Sequence, residues 1–143
     1  MKKRGLISEE ERTAVEERLR AVLEKHGEIS FAYVHGSFAE GREFADVDLA
    51  LYLSALPPDP LMYEIERESE LALAGFGYVF DVRILNEAPL SFRYNAIKSG
   101  HLLFERNKDE RSDFVERTLD LYFDFAPYRR MYLRETLGIG LQA

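Results

Sequence analysis

The segment His35-Gly36-Ser37-Phe38-Ala39-Glu40-Gly41-Arg42-Glu43-Phe44-Ala45-Asp46-Val47-Asp48-Leu49-Ala50 carries both the fold and the chemistry of this chain. Ahead of it, Ile29 to Val34 is a short apolar run of β-branched and aromatic residues, which predicts a strand. Gly36-Ser37 comes directly after, and the next residues can start a short helix. A strand-to-helix turn offers free backbone N–H groups, and glycine lets the backbone come close to an anion. Ser37 adds a hydroxyl donor, so the turn has the makings of a phosphate cradle. By itself a Gly-Ser pair is far more often a plain turn, and its meaning depends on the strand after it.

Asp46 to Leu53 alternates, with Asp46, Asp48, Ala50 and Tyr52 on one face and Val47, Leu49, Leu51 and Leu53 on the other. Side chains two apart on a strand share a face, so both carboxylates leave the strand together beside the Gly-Ser turn. Two like charges this close call for a cation, and clustered hard oxygen donors suit Mg²⁺ shared with substrate phosphates. A turn cap and a solvent-facing edge residue would explain Asp46 and Asp48 equally well if nothing joined them. Asp81 is the candidate third carboxylate, set in the apolar strand around Phe80-Asp81-Val82-Arg83-Ile84-Leu85, where an unpaired charge is costly to bury. An ion pair with an arginine is the plain alternative for it.

The flanking sequence reads as alternating helices and strands. Ser8 with Glu11 has capping-box form ahead of Val15, Leu19, Val22 and Leu23 at helical spacing, ended by Gly27. Asp59-Pro60 opens a second helix towards Ala74. Tyr78 to Leu85 is a third strand, Pro89 to Ser99 a helix, Leu102 to Phe104 a short extended piece, and Asp109 to Leu137 a long helix that Pro127 should kink or divide. The expected class is α+β, a small mixed sheet covered by helices, in one domain over residues 1–143. Residues 1–27 form an N-terminal helix, 28–105 the core and 106–143 a C-terminal helical segment. Periodicity does not give the strand order.

Composition narrows the function. In 143 residues, 19 basic and 26 acidic side chains leave a net charge of −7, which gives no footprint for DNA or an anionic membrane. The absence of cysteine removes disulfides, thiolate catalysis and zinc-thiolate sites, and fits a cytoplasmic protein. No apolar run approaches membrane-spanning length. Met1-Lys2-Lys3-Arg4 is basic, but Glu9, Glu10 and Glu11 stand where a signal peptide needs its apolar stretch.

Taken together, these motifs resemble the DNA polymerase β-type nucleotidyltransferase superfamily, and within it the MntA-type minimal nucleotidyltransferase antitoxins that pair with HEPN-domain toxins. Gly36-Ser37 and Asp46-Val47-Asp48-Leu49-Ala50 match the core motif. The run Asp81 to Pro89 is similar to the third-aspartate strand and its Leu-Asn-x-Ala-Pro turn, and Ser99 to Glu105 and Asp124 to Pro127 resemble later family segments. The resemblance implies that Gly36, Ser37 and Arg42 bind ATP. Asp46, Asp48 and Asp81 would hold two Mg²⁺ ions, with Asp81 helping to deprotonate the acceptor. The implied reaction is transfer of AMP to a tyrosine of the HEPN RNase toxin, the toxin being a protein partner in a hetero-oligomer. Two features depart from the pattern: eight residues separate Ser37 from Asp46, fewer than is usual, and Glu40 puts a carboxylate near the cradle with Arg42 to offset it.

The C-terminal segment bears on the partner. Phe114, Leu121, Phe125, Tyr128 and Tyr132 keep helical spacing, with Val115, Leu119 and Tyr122 widening the stripe. Core packing explains most of them, and the remainder can meet a partner. Two other readings stay open: an antitoxin that acts by occlusion alone, and a transferase for a small hydroxyl compound such as an aminoglycoside.

Overall fold

The computed structural model describes residues 5–137, and side chains through Asp124. The basic stretch before Gly5 lies outside them, as do the side chains of Phe125, Tyr128 and Tyr132. Helix α1 (Glu9–Leu23) starts as its sequence dictates: Ser8 Oγ accepts the Glu11 N–H at 3.1 Å, and Glu9, Glu10 and Glu11 fill the first turn. Strand β1 (Ile29–His35) leads into one short turn of helix, α2 (Gly36–Ala39), and then β2 (Asp46–Leu53). Helix α3 (Pro60–Leu73) has Asp59 at its cap, accepting from the Met62 N–H, and Pro60 where a helix needs no N–H. Strand β3 (Val79–Ile84), α4 (Leu90–Ser99), β4 (His101–Glu105) and α5 (Lys108–Leu137) complete the described chain. The expected division at Pro127 does not occur, since α5 is one helix through that position.

The strand order is β3-β2-β1-β4. β1 lies antiparallel to β2 and β4, while β2 and β3 run parallel because α3 carries the chain back across the sheet. The mixed α+β sheet anticipated from sequence is therefore present. One face packs on α1 and α3: Leu19, Leu23 and Leu71 are fully buried with Val47, Leu49, Leu51 and Val82. The other face packs Phe31, Tyr33 and Ala50 against Ala96 of α4 and Phe114 of α5. Burying both faces of β1 explains why Ile29 to Val34 is apolar without alternation. β2 alternates at its start because Asp46 and Asp48 stand where the α4–α5 layer leaves the face open.

The aromatic stripe divides. Phe114 and Val115 pack into the core and Tyr122 stacks on Tyr94 of α4, whereas Leu121 and Phe123 are 44% and 60% exposed.

The Leu-Asn-x-Ala-Pro turn has a structural use. The Asn86 amide donates to Leu53 O at 2.7 Å, and its Oδ1 accepts the Leu53 N–H at 2.9 Å, so one side chain ties off the end of β2. Asn86→Ala leaves both backbone groups without partners. It is expected to cost about 2 kcal/mol, seen as a melting temperature lower by about 6 °C with an unchanged urea m-value.

Candidate active site

Registry, more than any one residue, builds the site. Asp48 on β2 is aligned with His35 on β1 and with Asp81 on β3, so the three stand in one row across the sheet. Asp46 lies one step back on the same face as Asp48. Parallel neighbours in register are about 5 Å apart, so the two carboxylates face each other's field with little protein between them. Burial, then the charge of Asp81, then that of Asp46 push the Asp48 carboxyl up to about 6, against a weaker downward pull from Arg83. Burial and like charges both disfavour the ionised form here, and a cation beside the carboxylate would relieve both.

Gly36 comes after His35 at the end of this row. Its φ is +74°, a conformation open to glycine, and a Cβ there would collide with Asp48 Oδ2, with Cγ at 3.3 Å. The bare backbone of the turn thus lies directly against the central carboxylate, close enough for one ligand to bridge them. Ser37 is half-buried in the first turn of α2. Gly41, also at φ +74°, closes that turn, and the Arg42 N–H returns to Ser37 O at 3.0 Å. The shortened connection before Asp46 is accommodated without strain at any other residue type, because among the described residues every positive φ belongs to a glycine.

Arg42 reaches Glu40 at 2.8 Å in an exposed ion pair. That pair neutralises the carboxylate near the cradle, and both side chains stay in water where such a pair is weak and easily rearranged.

Asp81 is bonded to Arg83, whose Nε donates to Oδ1 at 3.1 Å. Asp81 thus aligns with Asp48 in the sheet and forms the arginine pair that is its plain alternative. Among the described residues no three His, Asp or Glu side chains are already drawn into a ligand cage. The donor set still fits Mg²⁺. It consists of hard carboxylate oxygens on one open sheet face, repelling one another, with glycine backbone beside them for phosphate.

Four residues around the row lie outside the candidate set read from the sequence. His35 packs edge-on against Phe92 at 5.2 Å, and burial lowers its pKa, so it is neutral near pH 7. Its Nε2 is nevertheless buried without a hydrogen-bond partner at the edge of the site. Arg83 is the arginine that pairs with Asp81. Glu64 and Glu68 of α3 accept the Ile84 and Val82 N–H groups, each at 2.8 Å, and so cover the free edge of β3. The Asp81-x-Arg83 spacing could have revealed the second of these, since residues two apart on a strand share a face. The glutamates gave no such signal, because their partners are backbone groups.

A family model described as polymerase beta, nucleotidyltransferase matches residues 17–109, which include every site residue above. No curated protein matches the chain. Among solved structures, a chain from the complex of a tri-AMPylated Shewanella oneidensis HEPN toxin with an MNT antitoxin has a TM-score of 0.69 at 16% identity. That alignment covers 88% of this chain and 98% of the other. A chain from the MntA–HepT toxin–antitoxin complex aligns with a TM-score of 0.68 at 16% identity, over 87% of this chain and 98% of the other. A toxin–antitoxin structure with AMP-PNP gives 0.66 at 17% identity, over 91% and 99%. At these identities the likeness is one of fold.

Proposed function

The chain belongs to the polymerase beta nucleotidyltransferase family, and from that membership we propose that it is an antitoxin that transfers AMP from ATP to a tyrosine hydroxyl of a HEPN-domain RNase toxin. The observation that carries this reading is the row of His35, Asp48 and Asp81 across three neighbouring strands, with Gly36 following His35 beside Asp48. In that arrangement Gly36 would serve as phosphate cradle, Asp48 as metal-binding carboxylate and Asp81 as proton acceptor, side by side in the order an adenylyl transfer needs. The fold shared with an MNT antitoxin bound to its AMPylated toxin supports the choice of acceptor.

Gly36 and Ser37 would hold the β- and γ-phosphates through backbone N–H groups and the Ser37 hydroxyl, with Arg42 swinging from Glu40 to assist. Asp46 and Asp48 would hold two Mg²⁺ ions, and Asp81 would complete one of the sites. When bound, the ions neutralise charge on the attacking oxygen and on the departing pyrophosphate. The chain's own residues do the rest. Asp81 takes the acceptor's proton once Arg83 releases it, Asp48 stays ionised when a cation lies beside it, and neutral His35 keeps water from the row. Positioning and charge compensation supply most of the rate.

The exposed Leu121 and Phe123 on α5, within the 106–143 segment, are the candidate contacts for the toxin in a hetero-oligomer. Among the described residues no helix is long and apolar enough to cross a membrane. A cytoplasmic complex with the toxin is the setting that suits this chemistry.

The test is incubation with ATP labelled at the α-phosphate, Mg²⁺ and the HEPN protein encoded beside it, and then mapping of the label. Label on a toxin tyrosine is expected. It should be lost on chelation and in Asp46→Asn and Asp81→Asn, and reduced at least about ten-fold in Phe123→Glu through weaker toxin binding. Toxin neutralised without label would leave occlusion as the mechanism, and label on an added aminoglycoside would leave a small-molecule transferase.

A further inference from the structure

We propose that the groove along the free edge of β3 docks the acceptor, and that its occupant is a cationic protein segment carrying an apolar side chain beside the hydroxyl to be modified. This rests on the adenylyl-transfer reading and adds what the acceptor must look like. The groove has a volume of about 680 Å³ and is lined by Asp81 and Arg83 of β3, by α3 and by the turn leading into α4.

The direction of the chemistry selects this groove. In an in-line displacement, the nucleophile approaches the α-phosphorus from the side opposite the leaving pyrophosphate. The cradle at Gly36 ends β1, Asp48 is on β2 and Asp81 is on β3, the last strand on that side of the sheet. Pyrophosphate therefore departs towards β1, and the acceptor enters over the β3 edge. The acceptor oxygen forms the new bond to phosphorus while its proton passes to the Asp81 carboxylate. The bond from phosphorus to the bridging oxygen breaks, and its electron pair leaves with pyrophosphate.

The walls select the occupant. Leu56, Leu61 and Ile65 line the groove with Phe92, yet they are 40%, 65% and 44% exposed, so a large apolar surface stands in water beside the catalytic row. Glu64, Glu68, Glu87 and Asp81 face one cation, Arg83, which is already held by Asp81. The excess negative charge and the apolar wall together fit a segment with arginine or lysine flanking an aliphatic or aromatic residue. A polycationic sugar would meet the carboxylates and leave Leu61 and Ile65 uncovered.

The probe is a labelled tyrosine peptide with a leucine and two arginines beside the tyrosine, its binding read by fluorescence anisotropy. Mg²⁺ and an ATP analogue with a methylene between the α- and β-phosphates hold the site in its loaded form. The full chain is expected to bind it at least about ten-fold more tightly than the same peptide with glutamates in place of arginines. Ile65→Arg and the double variant Glu64→Gln with Glu87→Gln should each lose about ten-fold, and added salt should weaken the wild type more than the double variant. Equal affinity for the two peptides, unchanged binding by Ile65→Arg, or AMP transfer to kanamycin in place of protein would overturn the proposal. Expected binding without AMP transfer to any protein would defeat the adenylyl-transfer reading and leave the docking surface standing. AMP transfer with an unchanged KM in both groove variants would defeat the groove alone.

Discussion

Replacing Asp48 by Asn is expected to abolish AMP transfer and at the same time to make the metal-free protein more resistant to heat. The two effects share one cause. In the folded chain burial first, and then the fields of Asp81 and Asp46, raise the Asp48 carboxyl from an ordinary 3.8 to about 6. A carboxyl whose folded-state pKa lies above its unfolded value binds more protons when folded. It therefore costs stability once the pH exceeds the folded value, and that cost fades as the pH falls from about 6 towards 3.8. The full difference corresponds to about 3 kcal/mol. Water reaches part of the group and screens it, so about 1 kcal/mol is the expected gain for the Asn variant at pH 8, or about 3 °C in melting temperature.

The wild-type melting temperature should rise between pH 8 and pH 5 relative to the variant, and the two should converge near pH 4. Mg²⁺ with ATP should stabilise the wild type and leave the variant nearly unmoved. Transfer should fall by at least about a thousand-fold, because the lost oxygen is both a proposed metal ligand and the centre of the row. A variant that melts below the wild type at pH 8 would mean that the like charges are already compensated in the free chain.

How much the sequence discloses depends on the range over which each interaction acts. Helix starts were legible because caps are local: Ser8 and Asp59 each bond an N–H three residues on. The bounds of β2 were legible because Asp46 and Asp48 interrupt an otherwise apolar strand with period two. The strand order β3-β2-β1-β4 was not, because the parallel pairing of β2 with β3 and the return of β4 to β1 are set by packing over long separations. The same limit applied to the site. Gly36, Ser37, Asp46 and Asp48 announced themselves within one short segment, and Asp81 stood out as a lone carboxylate in an apolar strand. That Asp81 falls opposite Asp48 depends on register, which no local pattern carries. Leu121 fits a helical stripe counted from Phe114, yet it faces water because α5 turns its Phe114–Thr118 line to the core. That Asp81 could pair with an arginine was legible, and the folded chain shows that the partner is Arg83, whose side chain stays half exposed.

Gly36→Ala is expected to damage both fold and site, and its damage separates into two measurable parts. The first is conformational. Gly36 has φ +74°, where an L-residue other than glycine costs about 1–2 kcal/mol, so the melting temperature should fall by about 3–6 °C. The second is specific to the site. The added Cβ would land on Asp48 Oδ2, and Ala39 and Phe38, buried just beyond, prevent α2 from backing away. Asp48 must rotate instead, which moves the central carboxylate out of line with Asp81 and narrows the space between backbone and carboxylate that a phosphate would enter. Transfer should drop by at least about a hundred-fold, with a rise in the KM for ATP. The variant Gly36→Ala with Asp48→Gly tests the collision directly. Removing the side chain that is struck should return part of the lost stability while restoring no transfer. If the double variant melts no higher than Gly36→Ala alone, strain at φ accounts for the whole loss, and the close approach of glycine to carboxylate has no energetic consequence.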